Sequence, residues 1–338
     1  MSKGRVGFAL GYDPAMNVRD MAHWMREAES FGFEIGFFSE TIELMRDSVT
    51  ALAAMGLGTS TMTLGCTQIV RLRSPLVMAQ TAAALDELMG GRLLLAPGAC
   101  TTTHAKRHGL PPAHPPTALR EWIEAMRMIL AAQERVSYHG ECVNFDDCHL
   151  GFEPVRRRIP MLLPATSKKG LQMAGQFADG VVLNAICSPE YSENAIAIIR
   201  RAAEEAGRDL NGFMIYQLVN CSIEDDHDKA LDAIRWEVAS KLDPIQLPFI
   251  LKPKKVVGEP YMSEEDIPLF QAAWERGGKE GLIAAVPDRY IEGMTASGTP
   301  DEVLARVERY RDAGVQVPIL RPAAAHQAPR LLQLFAPG

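Results

Sequence analysis

The side chains able to do chemistry fall in a few short stretches. Glu40 closes the run Phe37-Phe38-Ser39-Glu40. A carboxyl group whose pKa is raised by burial can serve as a general acid or base near neutral pH. Further on, Ala99-Cys100-Thr101-Thr102-Thr103-His104 ends in an imidazole, with His108 one helical turn later. Histidine alone carries an unperturbed pKa in the physiological range, whereas Thr101 and Thr103 can hydrogen-bond but not titrate. Ala165-Thr166-Ser167-Lys168-Lys169-Gly170 sets hydroxyls and two lysines at the start of a helical pattern. Free amides and the positive end of the helix dipole make such a turn an anion site. Arg321, before Pro322, is a second candidate cation.

Elements of alternating type must position these groups. Residues 4–11 read as a strand, and Asn17 as the N-cap of a helix over 18–31, with Met21, Trp24, Met25 and Ala28 at helical spacing and Gly32 as its stop. The pattern continues with strand 33–39, helix 43–56, strand 61–68, helix 75–89, strand 92–96 and helix 117–132. A polar and aromatic stretch over 136–150 predicts a β-hairpin. Strand 159–164, helix 168–177, strand 180–184, helix 189–206, strand 214–222 and helix 226–240 follow. Residues 243–285, interrupted by proline and lysine, read as an insertion folded over the mouth of the fold. A helix over 299–313, a strand over 317–320 and a helix over 326–335 complete the chain.

Eight strands alternating with helices predict the α/β class, a (β/α)8 TIM barrel, as one domain over 1–338 with the hairpin and lid as insertions. The length of 338 residues suits one such barrel. An open doubly wound sheet would want a glycine-rich phosphate loop after the first strand, and Gly11-Tyr12-Asp13-Pro14-Ala15-Met16-Asn17 has no GxGxxG. In a barrel the site lies at the C-terminal ends of the strands, which gathers Glu40, Cys66, Thr67, Gly98, His104, Ala165–Lys169, Asn184 and Arg321 at one mouth.

The net charge of -7 argues against nucleic acid and against an anionic membrane surface. The N-terminus enters an apolar strand without a signal-peptide pattern, and no apolar run approaches the ~18 residues of a membrane span, so the cytoplasm is expected. The six cysteines, Cys66, Cys100, Cys142, Cys148, Cys187 and Cys221, form no CxxC pair, and the eight histidines show no HExxH or HxH. Free thiols and no metal are expected.

The stretch 64–103, LGCTQIVRLRSPLVMAQTAAALDELMGGRLLLAPGACTTT, carries a family pattern: a strand ending near Cys66, a loop ending in Ser-Pro, a helix ending LDELxxGR and a strand ending in glycine. AESFGFE (28–34), ATSKKGLQMAGQFADGVVLNA (165–185) and SGTPDEVLARVERYRDAGV (297–315) extend it. The chain resembles the luciferase-like flavin and deazaflavin oxidoreductases, and within them is most similar to methylenetetrahydromethanopterin reductase and other coenzyme F420-dependent reductases. The likeness fades over 240–285.

The resemblance implies a redox cofactor, coenzyme F420 or alternatively FMN. It implies a non-prolyl cis peptide at Cys66–Thr67, bulging behind the cofactor ring, with Gly98 also on the cofactor. It places the phosphate-bearing tail against Ala165, Thr166, Ser167, Lys168 and Lys169, and Asn184 against the ribityl chain or substrate. The family's pattern is broken where protons are handled. Many deazaflavin reductases have Asp-His after strand two and an acid after strand four; Glu40-Thr41 and Thr101 stand there instead. Luciferase-type monooxygenases often have Glu-His-His at the first of these places. Glu40 and His104 are therefore the catalytic candidates.

The expected activity is hydride transfer between F420 and a small organic acceptor. The alternatives are an FMN-dependent monooxygenase and a non-catalytic cofactor-binding barrel. The resemblance also implies a homodimer, with the helices after strands two and three as its contact faces.

Overall fold

A computed structural model describes residues 4–11, 13–100, 102–244 and 247–336. Thr101 lies outside the described residues. In chain order the elements are β1 (Gly7–Ala9), α1 (Val18–Ser30), β2 (Ile35–Ser39), α2 (Ser48–Gly58), β3 (Thr63–Ile69), α3 (Pro75–Leu88), β4 (Leu93–Gly98), α4 (Thr102–Arg107) and α5 (Pro115–Ala131). A hairpin of β5 (Val136–His139) and β6 (Asn144–Cys148) precedes β7 (Leu162–Ala165), α6 (Lys168–Phe177), β8 (Gly180–Leu183), α7 (Pro189–Glu205), β9 (Met214–Ile223) and α8 (His227–Ala239). Then come α9 (Leu247–Val257), α10 (Ile267–Ala285), α11 (Asp288–Met294), β10 (Ala296–Gly298), α12 (Pro300–Asp312), β11 (Val317–Pro322) and α13 (Ala328–Phe335).

The chain divides into two compact units, one of residues 12–164 and one of residues 1–11 with 165–338. In the first, β2, β3 and β4 run parallel, with Phe38 opposite Cys66, Thr67 opposite Ala96 and Ile69 opposite Gly98. Beyond β4, Leu95 bridges to Met161 in the same sense. Ile35–Phe38 and Leu93–Pro97 are buried throughout, the near-continuous apolar run that a parallel strand covered on both faces requires. Helix starts are fixed by side chains: Asn17 with Asp20 forms a capping box on α1, Asp47 caps α2 and Ser74 caps α3.

The family-pattern residues at the N-terminal ends of β3 and β4 act as fasteners. Glu29 accepts the amides of Ser60, Thr61 and Met62 at 3.0, 2.6 and 2.7 Å. Arg92 donates to the carbonyls of Met62 and Thr59 at 2.6 and 3.0 Å. Asp86 accepts from the Leu93 amide at 3.0 Å and pairs with Arg156.

In the second unit the parallel order is β1, β11, β9, β8, with the short β10 on the other part of β9. Arg321 stands opposite Asn220, and Leu183 opposite Gln217. The segment 243–285, expected as a lid, is helical and shares a core with its neighbours: Leu247, Leu251, Met262, Phe270 and Leu282 pack with Ile234, Val238, Tyr290 and Ile291. Its α10 breaks at Gly278 (φ 54°), and a Cβ on Gly281 would meet the Ala273 carbonyl oxygen at 2.3 Å. Glycine alone permits that turn and approach.

Three local expectations differ. The second helix starts at Ser48, not 43, because Glu43 is left-handed (φ 74°) and Asp47 supplies the cap. α4 and β10 are additional elements, too short to show a period. The fifth strand starts at Leu162 rather than 159.

Burial raises the Glu29 pKa, but the amides of Thr61, Met62 and Ser60 outweigh it and hold the group at about 2. A folded pKa below the unfolded value gives stability that is complete above the unfolded pKa and lost as pH falls toward 2. Glu29→Gln should cost about 1–3 kcal/mol at neutral pH. Chemical denaturation of both proteins across pH 2–7 checks it: the difference should shrink as the medium is acidified.

Candidate active site

In residues 12–164 the C-terminal ends of β2 and β3 are joined by a buried polar network. Glu40, with its side chain 7% exposed, accepts from Ser48 Oγ at 2.6 Å and Arg73 Nη1 at 2.8 Å on one oxygen, and from the Ile69 amide at 2.7 Å on the other. Its own amide donates to Thr67 Oγ1 at 2.9 Å. Gln68 Nε2 donates to Ser48 Oγ at 3.1 Å, and Arg73 also pairs with Asp47 at 2.9 Å. Trp122 Nε1 holds the Arg73 carbonyl at 3.1 Å. Glu40 therefore fixes the backbone where β3 ends.

No cis peptide bond occurs among the described residues, so the expected cis bulge at Cys66–Thr67 is corrected. β3 passes through both residues with an unbroken register to β2 and β4, and Thr67 is engaged with the Glu40 amide. Cys66 is fully buried, and burial, with the Glu40 carboxylate beside it, pushes its thiol well up. It packs as a small apolar side chain.

Gly98 ends β4, half-buried, and its carbonyl accepts the Val70 amide at 3.1 Å. Cys100 beyond it is left-handed (φ 60°), and the Arg71 guanidinium donates to Ala99 O at 2.8 Å and Pro111 O at 3.1 Å. His104 lies on α4 with its ring 6.2 Å from that of His108, whose Nε2 is 3.6 Å from Glu43. The Glu40 oxygens are taken up by Ser48, Arg73 and the Ile69 amide, whereas the His104 ring neighbours that of His108. A cleft of about 550 Å3 in the same unit is lined by Val70, Arg71, His114, Trp122, Cys142 and Phe145, among others.

In the second unit Ser167 caps α6, its Oγ accepting the Gly170 amide at 3.2 Å. Lys168 and Lys169 are exposed at that helix start, Ala165 is buried, and the Thr166 carbonyl accepts from Tyr191 Oη at 2.8 Å. The first amides of a helix have no acceptor within it, and here Ser167 takes that of Gly170. Asn184 is exposed just past β8, its Oδ1 accepting the Ala185 amide at 2.8 Å.

Arg321 differs from the expectation of a candidate phosphate cation. It is 4% exposed, its guanidinium pairs with the equally buried Glu237, and its Nε donates to Asn220 Oδ1 at 3.1 Å. Its charge is balanced inside the protein. Ser48, Gln68, Arg71 and Arg73 were not singled out from sequence. The two arginines in VRLRSP (70–75) were the available signal, since two cations in a short loop between buried elements need partners.

In fold the chain matches the coenzyme F420-dependent tetrahydromethanopterin reductase from Methanopyrus kandleri, with a TM-score of 0.84 and 25% identity over 98% of both chains. The fold class is α/β of the TIM-barrel type. The model of the luciferase-like monooxygenase family matches residues 2–317, and the chain belongs to that family. It is 29% identical to 5,10-methylenetetrahydromethanopterin reductase from Archaeoglobus fulgidus over 91% of each chain. It is 25% identical to the F420-dependent glucose-6-phosphate dehydrogenase from Nakamurella multipartita, covering 91% of this chain and 87% of that one.

Breaking a buried ion pair by removing one partner leaves an uncompensated charge. Arg321→Met should destabilise the fold by about 3–5 kcal/mol, and Arg321→Met with Glu237→Leu by less than Arg321→Met alone. Urea unfolding of both variants measures this. An additive double variant would show that the pair does not act as one unit.

Proposed function

We propose that the protein is a two-electron oxidoreductase that transfers hydride between coenzyme F420 and a small organic acceptor. One observation carries the reading: the chain shares its fold from end to end with an F420-dependent reductase, at 25% identity and a TM-score of 0.84. The similarity to an F420-dependent glucose-6-phosphate dehydrogenase supports the same cofactor. When bound, the deazaflavin supplies the redox chemistry itself.

The residues fit such a group. The start of α6, with its capped turn and exposed Lys168 and Lys169, suits a phosphate. Asn184 is exposed and offers an amide to a polar chain. At the ends of β2, β3 and β4, the half-buried Thr67 and Gly98 are set in a framework locked by Glu40 and Arg73. Rigid placement of this kind lowers the barrier by orientation. Proton handling is assigned to Glu40, with His104 as the second candidate.

An FMN-dependent monooxygenase is the second reading. It is favoured by Glu40, where the resemblance expects aspartate in the deazaflavin reductases and glutamate in the monooxygenases. We further propose a homodimer. Leu57 on α2 is 74% exposed and Val77 on α3 is 50% exposed, an apolar surface that a second copy would cover.

Fluorescence titration with F420 and with FMN should show saturable binding of F420. Binding of FMN alone would overturn the leading reading. In the same titration, Lys168→Ala with Lys169→Ala should weaken binding, and added salt should mimic the loss; equal affinity removes the phosphate role from α6. Glu40→Gln should lower kcat more than it weakens cofactor binding, and an unaltered kcat would clear Glu40 of proton transfer.

A further inference from the structure

The loop after β8 is held in a conformation it would not keep unaided. Ile186 is left-handed (φ 58°), and a β-branched side chain makes that conformation an outlier. Such strain persists only where the surroundings over-determine it, and it clusters at functional sites.

The surroundings here are polar and buried. Lys254 on α9 is 2% exposed, and its Nζ donates to the carbonyls of Ile186 and, at 3.4 Å, Ala185. The Cys187 carbonyl accepts from Tyr310 Oη at 2.7 Å and Gln217 Nε2 at 3.4 Å. The Ser188 amide donates at 2.9 Å to Glu259, which is fully buried. Every residue from Ala185 to Ser188 is thus gripped, while the preceding Asn184 is exposed.

A buried ammonium is costly unless it is hydrogen-bonded, and apolar residues of similar volume would often stabilise the same space better. The lysine is better explained by what it holds than by stability. We infer that Lys254 is a positioning residue: from α9 it fixes the strained Ile186 carbonyl and so sets the backbone that presents Asn184 to the bound cofactor. The inference rests on the F420 reading above, in which Asn184 contacts the cofactor. It gives the segment around residue 254 a role in the site through a buried contact rather than as a cover.

The test is a double-mutant cycle on F420 affinity, read by fluorescence, with hydrogen exchange at residues 184–188 measured alongside. Asn184→Ala and Lys254→Met should each weaken F420 binding about tenfold, the size of one lost hydrogen bond. The double variant should bind no more weakly than the weaker single, because both remove one contact. Lys254→Met should also speed exchange at 185–188, and Lys254→Met with Ile186→Gly should regain affinity, since glycine takes the left-handed backbone without strain.

Additive effects, or unchanged affinity in Lys254→Met, would reduce the lysine to a structural part and overturn the inference. Asn184→Ala, at an exposed position, decides even if Lys254→Met does not fold: unchanged F420 affinity overturns the inference. If the wild-type protein binds no F420, the cofactor reading itself fails, and with it Asn184 as a cofactor contact. Exchange at 185–188 then separates the two failures, since acceleration in Lys254→Met would still show the lysine holding the loop.

Discussion

A parallel strand that runs out into a loop leaves backbone amides and carbonyls in the interior without a ladder partner. An unpaired buried group costs as much as a lost hydrogen bond, so each must be matched. This protein matches several of them with charged side chains, most of them buried. Glu40 takes the Ile69 amide, Arg71 takes the Ala99 carbonyl, Lys254 takes the Ile186 carbonyl and Glu259 takes the Ser188 amide. The Glu40 carboxylate is in turn held by Ser48 and Arg73 as well as by the backbone it fixes.

The opposite strand ends use the same device for another purpose. Glu29 gathers the three amides before β3, and Arg92, at the start of β4, takes the Thr59 and Met62 carbonyls before β3. Those contacts lie among helix termini and turns and serve the fold. At the C-terminal ends the fixed backbone is accompanied by strained residues, Cys100 and Ile186, and by exposed polar groups such as Asn184. Polar groups held rigid before a ligand arrives need no reorganisation when charge moves, which is how preorganised sites favour a reaction. The assignment to the luciferase-like monooxygenase family and the proposed hydride chemistry are both consistent with a scaffold whose strand ends are set in advance.

Much of the scaffold was legible from sequence. The alternation of apolar runs with helical periods gave the parallel α/β class, and caps such as Asn17 and Ser74 are local signals that the structure repeats. The polar hairpin before β7 was legible for the same reason. The site was less so, because its contacts are long in sequence. Arg73 meets Glu40 across 33 residues, Arg321 meets Glu237 across 84, and Lys254 reaches Ile186 across 68. No local period announces such pairs. In KPKKVVGEP (252–260) nothing local marks out Lys254 as the buried lysine of the three. The cis bulge came by resemblance alone, and the ladder through β3 does not have it.

The central claim is that buried charges hold the strand ends before any ligand binds. Amide hydrogen exchange of the cofactor-free protein tests it most directly, at Ile69 beside Glu40 and Ser188 beside Glu259. The account predicts exchange as slow as in the interior of β3 and β9, although Ile69 is the last residue of β3 and Ser188 is the N-cap of α7. Exchange at the rate of exposed loop residues would contradict it.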